Sequence, residues 1–231
     1  MMIKFDDISL NNQLQFALLA DEMTGVIAYD RSKNHMPVSF ETPGAPSWSQ
    51  LATGIPTIVL PGDKALSVPG GFSTALNFTT EDFSMMMWVN VALSATDMLM
   101  TQGVTDSDGW EWFLTDTVNT MSFRLNQGGS HSDIAAVGCF TQSIWQCVAI
   151  TRTGAVGQFY VNGIPKPTIG SLSDAVSVAG GDALYIGKKA TGNYLAGSIA
   201  CGFVGPKIWS RKLSDNELYL AFLSDKSALG V

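Results

Sequence analysis

The sequence is short of charge: only 14% of its residues are Asp, Glu, Lys or Arg. The charge it has leans acidic, with 13 basic against 20 acidic side chains and a net charge of −7. An acidic surface repels phosphate backbones, so a nucleic-acid partner is not expected. Histidine is scarcer still, represented by His35 and His131 alone. Neither lies near a Gly-x-Ser-x-Gly elbow or a cysteine in a nucleophile motif, so both read as surface loop residues. The three cysteines, Cys139, Cys147 and Cys201, form no Cys-x-x-Cys pair and have no histidine close in sequence. A zinc site is therefore not expected, at least one thiol stays free, and all three read as small core residues. The glycine pair Gly180-Gly181 lacks the Lys-Ser/Thr of a phosphate loop.

Long apolar runs are missing too. No stretch approaches the ~20 apolar residues that a membrane span requires. The opening "MMIKFDDISLNNQ" holds one lysine, two aspartates and no apolar run of signal-peptide length. The expectation is a chain made as a soluble protein and not exported by the standard route.

What is present is apolar material, 46% of 231 residues, enough for a sizeable core. It comes in short strand-like runs punctuated by Gly, Pro, Asn, Asp and Ser, the pattern of a sandwich or barrel. "DFSMMMWVNV" (82–91) reads as a central strand buried on both faces. "DGWEWFLTD" (108–116) alternates, with Trp110, Trp112 and Leu114 on one side and Glu111, Phe113 and Thr115 on the other. In "GQFYVNGIP" (157–165), Phe159 and Val161 face one way and Gln158 and Tyr160 the other. Asn162-Gly163 then suits the positive φ angles of a type I′ hairpin turn. Further strands are expected at 97–103, 120–129, 144–154, 182–189 and 197–211. One helix signal stands near the end. Ser214 and Glu217 form a capping box, and Leu218, Ala221 and Phe222 follow at helical spacing over two turns. "PGAPSWSQLATGIP" (43–56) reads as a short loop-rich stretch and no linker divides the chain. One domain over residues 13–231 is expected, with residues 1–12 as an N-terminal arm.

In order along the chain, several motifs resemble the laminin-G-like, pentraxin-like branch of the concanavalin A-like jelly rolls. They are "LLADEMTGVIAYDRSKNH", "KALSVPGG", the Phe-x-x-x-x-Trp-Val of "DFSMMMWVNV", "IWQCVAITRTG", "FYVNG", "LYIGKK" and "LAGSIACGFVGPKIWSRKLSDNEL". The resemblance covers roughly residues 14 to 223. It implies an all-β fold, a single antiparallel jelly-roll β-sandwich with a short C-terminal helix. Such a fold is a scaffold for many functions, so function has to be argued from a site.

Four chemistries are open to such a scaffold. Some jelly rolls of this type cut polysaccharides, which needs two carboxylates across a cleft. Here Asp106 and Asp108 fall in a turn and Glu111 is a lone acid between two tryptophans, so an enzyme is not expected. Nucleophilic catalysis lacks its histidine constellation, as above. Related jelly rolls hold one calcium at the loop rim, and the resemblance would place ligands at Asp30 and Asn34. The family's closing strand commonly carries Ile-Asp where this chain has Ile199-Ala200, and Asp30 also suits an Asx turn with the backbone that follows. No cofactor is expected, with calcium as the one candidate ion.

The fourth chemistry is glycan binding through aromatic rings. Trp88 and Trp145 lie in apolar strands and read as core. Trp48, Trp110, Trp112 and Tyr194 are the candidate sugar-facing rings, with Trp209 in the same pool; core is the commoner role for Trp110 and Trp112. Two non-catalytic functions follow. One is a virion (phage) surface, decoration or fibre protein, assembling with copies of itself or other structural proteins as a homo-oligomer. The other is a lectin-like module for surface glycans. The first is the leading expectation, because virion proteins need no export signal.

Overall fold

The computed structural model describes residues 8–41, 47–93, 95–178, 182–190, 192 and 194–230. Among them the strands run, in chain order, β1 (Leu14–Ala17), β2 (Ile27–Tyr29), β3 (Pro37–Phe40), β4 (Ser47–Gln50), β5 (Pro56–Pro61) and β6 (Leu66–Val68). Next come β7 (Phe83–Val91), β8 (Thr96–Gln102), β9 (Trp110–Thr115), β10 (Thr120–Asn126), β11 (His131–Ala136) and β12 (Gln146–Thr153). The last six are β13 (Val156–Val161), β14 (Ile164–Lys166), β15 (Ile169–Gly170), β16 (Leu184–Ile186), β17 (Ala196–Ala200) and β18 (Lys207–Trp209). Two helices flank them, α1 (Ile8–Asn11) and α2 (Asp215–Leu229).

The strands form two antiparallel sheets. The first runs β14-β13-β12-β7-β17-β5-β4, with β18 also on β7 and β1 on β18. The second runs β15-β11-β10-β9-β8-β16-β6-β3-β2. Their facing sides make one continuous apolar core that includes Met85, Met87, Val89, Trp110, Trp112, Phe123, Ile150 and Ile186. This is the expected sandwich.

Strand β7 explains why the sequence there has no polar side. Met85, Met87, Val89 and Val91 face the second sheet. The alternate residues Met86 and Trp88 face outward into another apolar cluster with Tyr160, Leu213, Leu218 and Phe222. Helix α2 thus covers the outer side of the first sheet, and the Trp88 and Phe222 rings stack with centroids 5.7 Å apart. The nine residues of β7 also hold two short strands on one edge, β18 against Ser84–Met86 and β17 against Val89–Val91. The closing segment expected as one strand (197–211) is therefore two, split by a single 3-10 turn at Gly202–Val204.

The Asn162-Gly163 turn has φ angles of 54° and 74°, the type I′ signature. Asn162 also ties the hairpin back, its side-chain oxygen accepting from the Cys147 amide at 3.0 Å. The capping box at Ser214 and Glu217 forms as expected. Helix α2 is longer than two turns, spanning 15 residues and ending on Gly230 at φ 73°, which only an easily left-handed residue favours.

Two expectations are corrected. Trp145 lies just before β12 and is only partly buried, packed at the margin of the α2 cluster. Trp48 stands on edge strand β4, not in a loop. The end of the N-terminal arm is docked: the Leu10 carbonyl accepts from Trp209 Nε1 at 2.6 Å and the Asn12 carbonyl from Arg211 Nε at 3.0 Å. Residues 1–7 of the arm lie outside the described residues.

Candidate functional site on the second sheet

Neither α-helix lies on the outer side of the second sheet. Strand pairing lays one row of side chains across it. Asp133 stands opposite Arg124, Arg124 opposite Glu111, Glu111 opposite Thr101, and Thr101 opposite Tyr185. Ser67 and Ser39 continue the row. These are the alternate positions of strands whose other residues, such as Trp110, Trp112, Phe123 and Ile186, fill the core. The polar row is thus the necessary counterpart of the apolar one.

Arg124 organises one half. Its Nε and Nη2 donate to the two oxygens of Asp133, both at 3.0 Å. Its Nη1 lies 3.7 Å from Glu111 Oε2, and its guanidinium lies over the Phe113 ring at 5.6 Å. The bidentate bond it donates to Asp133, with Glu111 on the other side, holds Arg124 charged beyond its ordinary range. Glu111 is 1% exposed although it sits on the outer face. Thr105 donates to its Oε1, while Oε2 has no hydrogen-bond donor. The hydrogen bond from His131 Nδ1 holds Asp106 below the usual carboxylate range. His131 Nε2 reaches Asp133 at 3.6 Å. The loop carrying Thr105 and Asp106 is pinned by glycine at both ends. A Cβ on Gly109, at φ 70°, would stand 2.0 Å from the Gln102 carbonyl oxygen, and one on Gly103 2.5 Å from that of Asp108.

Aromatic rings organise the other half. The Lys188 ammonium lies 4.4 Å from the Tyr185 ring centroid and 5.9 Å from that of Tyr194, and it pairs with Glu41. Thr101 donates to the Lys188 carbonyl at 2.9 Å, holding this segment against the row. From Arg124 to Tyr185 is three strand spacings, about 14 Å. The arrangement offers carboxylate acceptors, paired cations and two half-buried rings on one surface. Such a surface can stack a sugar face and bond its hydroxyls.

Of the candidate sugar-facing rings and calcium ligands, Tyr194 alone is brought to this face, beside Glu111, Asp106 and His131, which the sequence placed in other roles. Trp110 and Trp112 are fully buried, and Trp110 Nε1 donates to the Leu76 carbonyl at 2.9 Å. They take the core role, since the inward side of β9 meets the other sheet. Trp209 is buried beside α2. Trp48 packs tilted against Phe40 with ring centroids 4.9 Å apart, and its Nε1 donates to the Gly25 carbonyl at 3.0 Å, closing the side of the sandwich. Arg124 and Asp133 carried no motif, and Tyr185 lay in "LYIGKK", which marked a strand and not a site; strand alternation marks a face but not its neighbours.

Asp30 and Asn34 also stand elsewhere. Asp30 is 1% exposed and all its acceptor capacity serves the chain. Its Oδ1 accepts from the amides of Ala17 and Ser32, both at 2.8 Å, and its Oδ2 from Ser32 Oγ at 2.7 Å and the Met36 amide at 3.1 Å. The Ser32 bond is the Asx turn, and the Ala17 bond fastens β1 to β2. Asn34 donates to the Gln15 carbonyl at 2.7 Å. Among the described residues no group of three or more His, Cys, Asp or Glu is placed to hold a metal ion.

Comparison with known proteins agrees with this architecture. No curated protein matches the sequence. The binding domain of a Paraclostridial mosquitocidal protein superposes with a TM-score of 0.68 at 18% identity, over 94% of this chain and 53% of that one. A botulinum neurotoxin type C structure, from work describing dependence on two ganglioside molecules, gives 0.69 at 16% identity over 94% and 52%. The botulinum neurotoxin serotype D/C binding domain gives 0.68 at 17% over 93% and 53%. The chain thus spans about half the length of these neighbours, and at such identity they show a shared fold. The Laminin_G_3 family model, described as the concanavalin A-like lectin/glucanases superfamily, matches residues 63–218. Two packed antiparallel sheets, the motif order along them and that match together make this chain a member of the concanavalin A-like lectin/glucanase superfamily.

Proposed function

We propose that the chain is a non-catalytic recognition module that binds glycans across the outer face of its second sheet. The observation that carries this is the row from Asp133 to Tyr185, with the Tyr185 and Tyr194 rings gathered on Lys188 at one end. The ring faces supply stacking and the carboxylates accept hydroxyl donors. Neighbours of the same fold support the reading: one is described in complex with SialylT and another as depending on two ganglioside molecules for cell entry. The non-catalytic part is supported by the engagement of both carboxylates. Glu111 and Asp133 are both held by one arginine, so this pair is not free to act across a scissile bond. Incubation with a broad polysaccharide panel should release no reducing ends. Binding of immobilised glycans to the full chain should be lost in Tyr185→Ala and retained in Trp48→Phe. Equal binding by Tyr185→Ala would remove this face from the function.

A second reading is assembly, with copies of the chain or other structural proteins, at the surface of a virion. What favours it is a row of exposed apolar side chains on the outer side of α2, Tyr219, Leu220 and Leu223. Sedimentation of the full chain tests it. Self-association abolished by Leu220→Ser supports assembly, and a monomer at all concentrations argues against it.

A further inference from the structure

We infer that the outer face of the second sheet selects by charge, taking neutral glycans and rejecting sialylated, uronic or sulfated ones. The inference rests on the recognition reading above and names its ligand class. Asp106, Glu111, Asp133 and Glu41 set carboxylates along this surface. Against them stand Arg124 and Lys188, the His131 ring between Asp106 and Asp133, and Lys189, which adds a positive field near Asp106.

The two central cations are already satisfied. Arg124 is held by both oxygens of Asp133 and faces Glu111 as well. Lys188 is paired with Glu41 and lies over Tyr185. Their side chains are 21% and 12% exposed, so an incoming anion would have to displace a carboxylate to reach either. Carboxylates are acceptor-only, and an anionic sugar brings further acceptors. Placed beside them it adds like-charge repulsion, reinforced by the net charge of −7 on the whole chain.

The buried Glu111 adds a second requirement, for a hydrogen-bond donor. Its Oε2 is an acceptor without a hydrogen-bond donor, at a position nine-tenths or more buried in the middle of the row. Such an atom is left costly by any ligand that brings only acceptors, and is satisfied by one that brings a hydroxyl or amide donor as the Arg124 side chain adjusts. A neutral, hydroxyl-rich glycan meets both conditions.

The test is binding of the full chain to matched immobilised polymers: dextran with dextran sulfate, laminarin with sulfated laminarin, and a desialylated glycoprotein with its sialylated form. At low salt, at least one neutral member should bind, with its charged partner about tenfold or more weaker. The gap should narrow as salt rises, because the discrimination is electrostatic at a partly exposed surface. It should also narrow in the double variant Glu41→Gln, Asp106→Asn. Charged members binding as well as or better than neutral ones would overturn the inference while leaving glycan recognition standing. Binding of no member of either kind would overturn the recognition reading, and the inference with it.

Discussion

Trp88 shows how much one side chain settles. It is 1% exposed, stacked on Phe222, and stands where the first sheet meets α2. Trp88→Ala should cost about 3–5 kcal/mol, the usual range for deleting a large core aromatic. Chemical denaturation measures it, and a loss below about 1 kcal/mol would mean that α2 does not depend on this contact. Asp30 is the second decisive residue. With four hydrogen bonds to its carboxylate, it holds a turn. Millimolar calcium should leave the melting temperature unchanged, whereas Asp30→Ala should lower it with or without calcium. A calcium-dependent rise of several degrees, lost in Asp30→Ala, would restore the ion site, since only a ligand bound to the native state stabilises. Burial in β7 and the turn at Asp30 were legible from the sequence. The burial of Trp110 and Trp112 was legible as alternation, but which side of β9 met the core depended on the other sheet.

At the scale of elements, α2 is the part most exposed to test. Ser214 accepts from the Glu217 amide, and Glu217 accepts from the Ser214 amide at 2.8 Å. Ser214→Ala should cost about 1 kcal/mol. Glu217 also pairs with Arg211 at 2.7 Å, and that hydrogen bond leads in holding its pKa down at about 2. A carboxylate whose folded pKa is depressed contributes stability that is fully present above its unfolded value of 4.5. That contribution is lost as pH falls through about 2. Acid titration should therefore destabilise the wild type across that window more than Glu217→Gln. Equal acid sensitivity would show that the Arg211 pair is not coupled to folding. The capping box was readable because it is local. The full length of α2 was not, because "SDKSAL" lacks helical apolar spacing and Asp225 is buried within it. Those last turns are held by Leu229 in the α2 cluster and by the Gly230 cap. Strand β4 was missed for a related reason: "SWSQ" has one apolar residue, and only its pairing with β5 makes it a strand.

At the scale of the whole molecule, the sandwich has two unlike outer faces. Helix α2 and the docked end of the N-terminal segment cover the first sheet, which makes its strands apolar on both sides. The second sheet carries a polar row joined by Arg124, Thr101 and Lys188. Motif order along the sequence was enough for the fold. It was not enough for the site, because Asp133, Arg124, Glu111, Thr101 and Tyr185 come from five strands and meet only through long-range register. Whether this face is where a ligand sits is measured most directly by backbone amide NMR of the full chain titrated with a neutral oligosaccharide that it binds. The account predicts saturable shifts at Thr101, Glu111, Arg124, Asp133 and Tyr185, with α2 and the Asp30 turn unmoved. Shifts confined to α2 or to the turn at Asp30–Met36, with the second sheet silent, would contradict it.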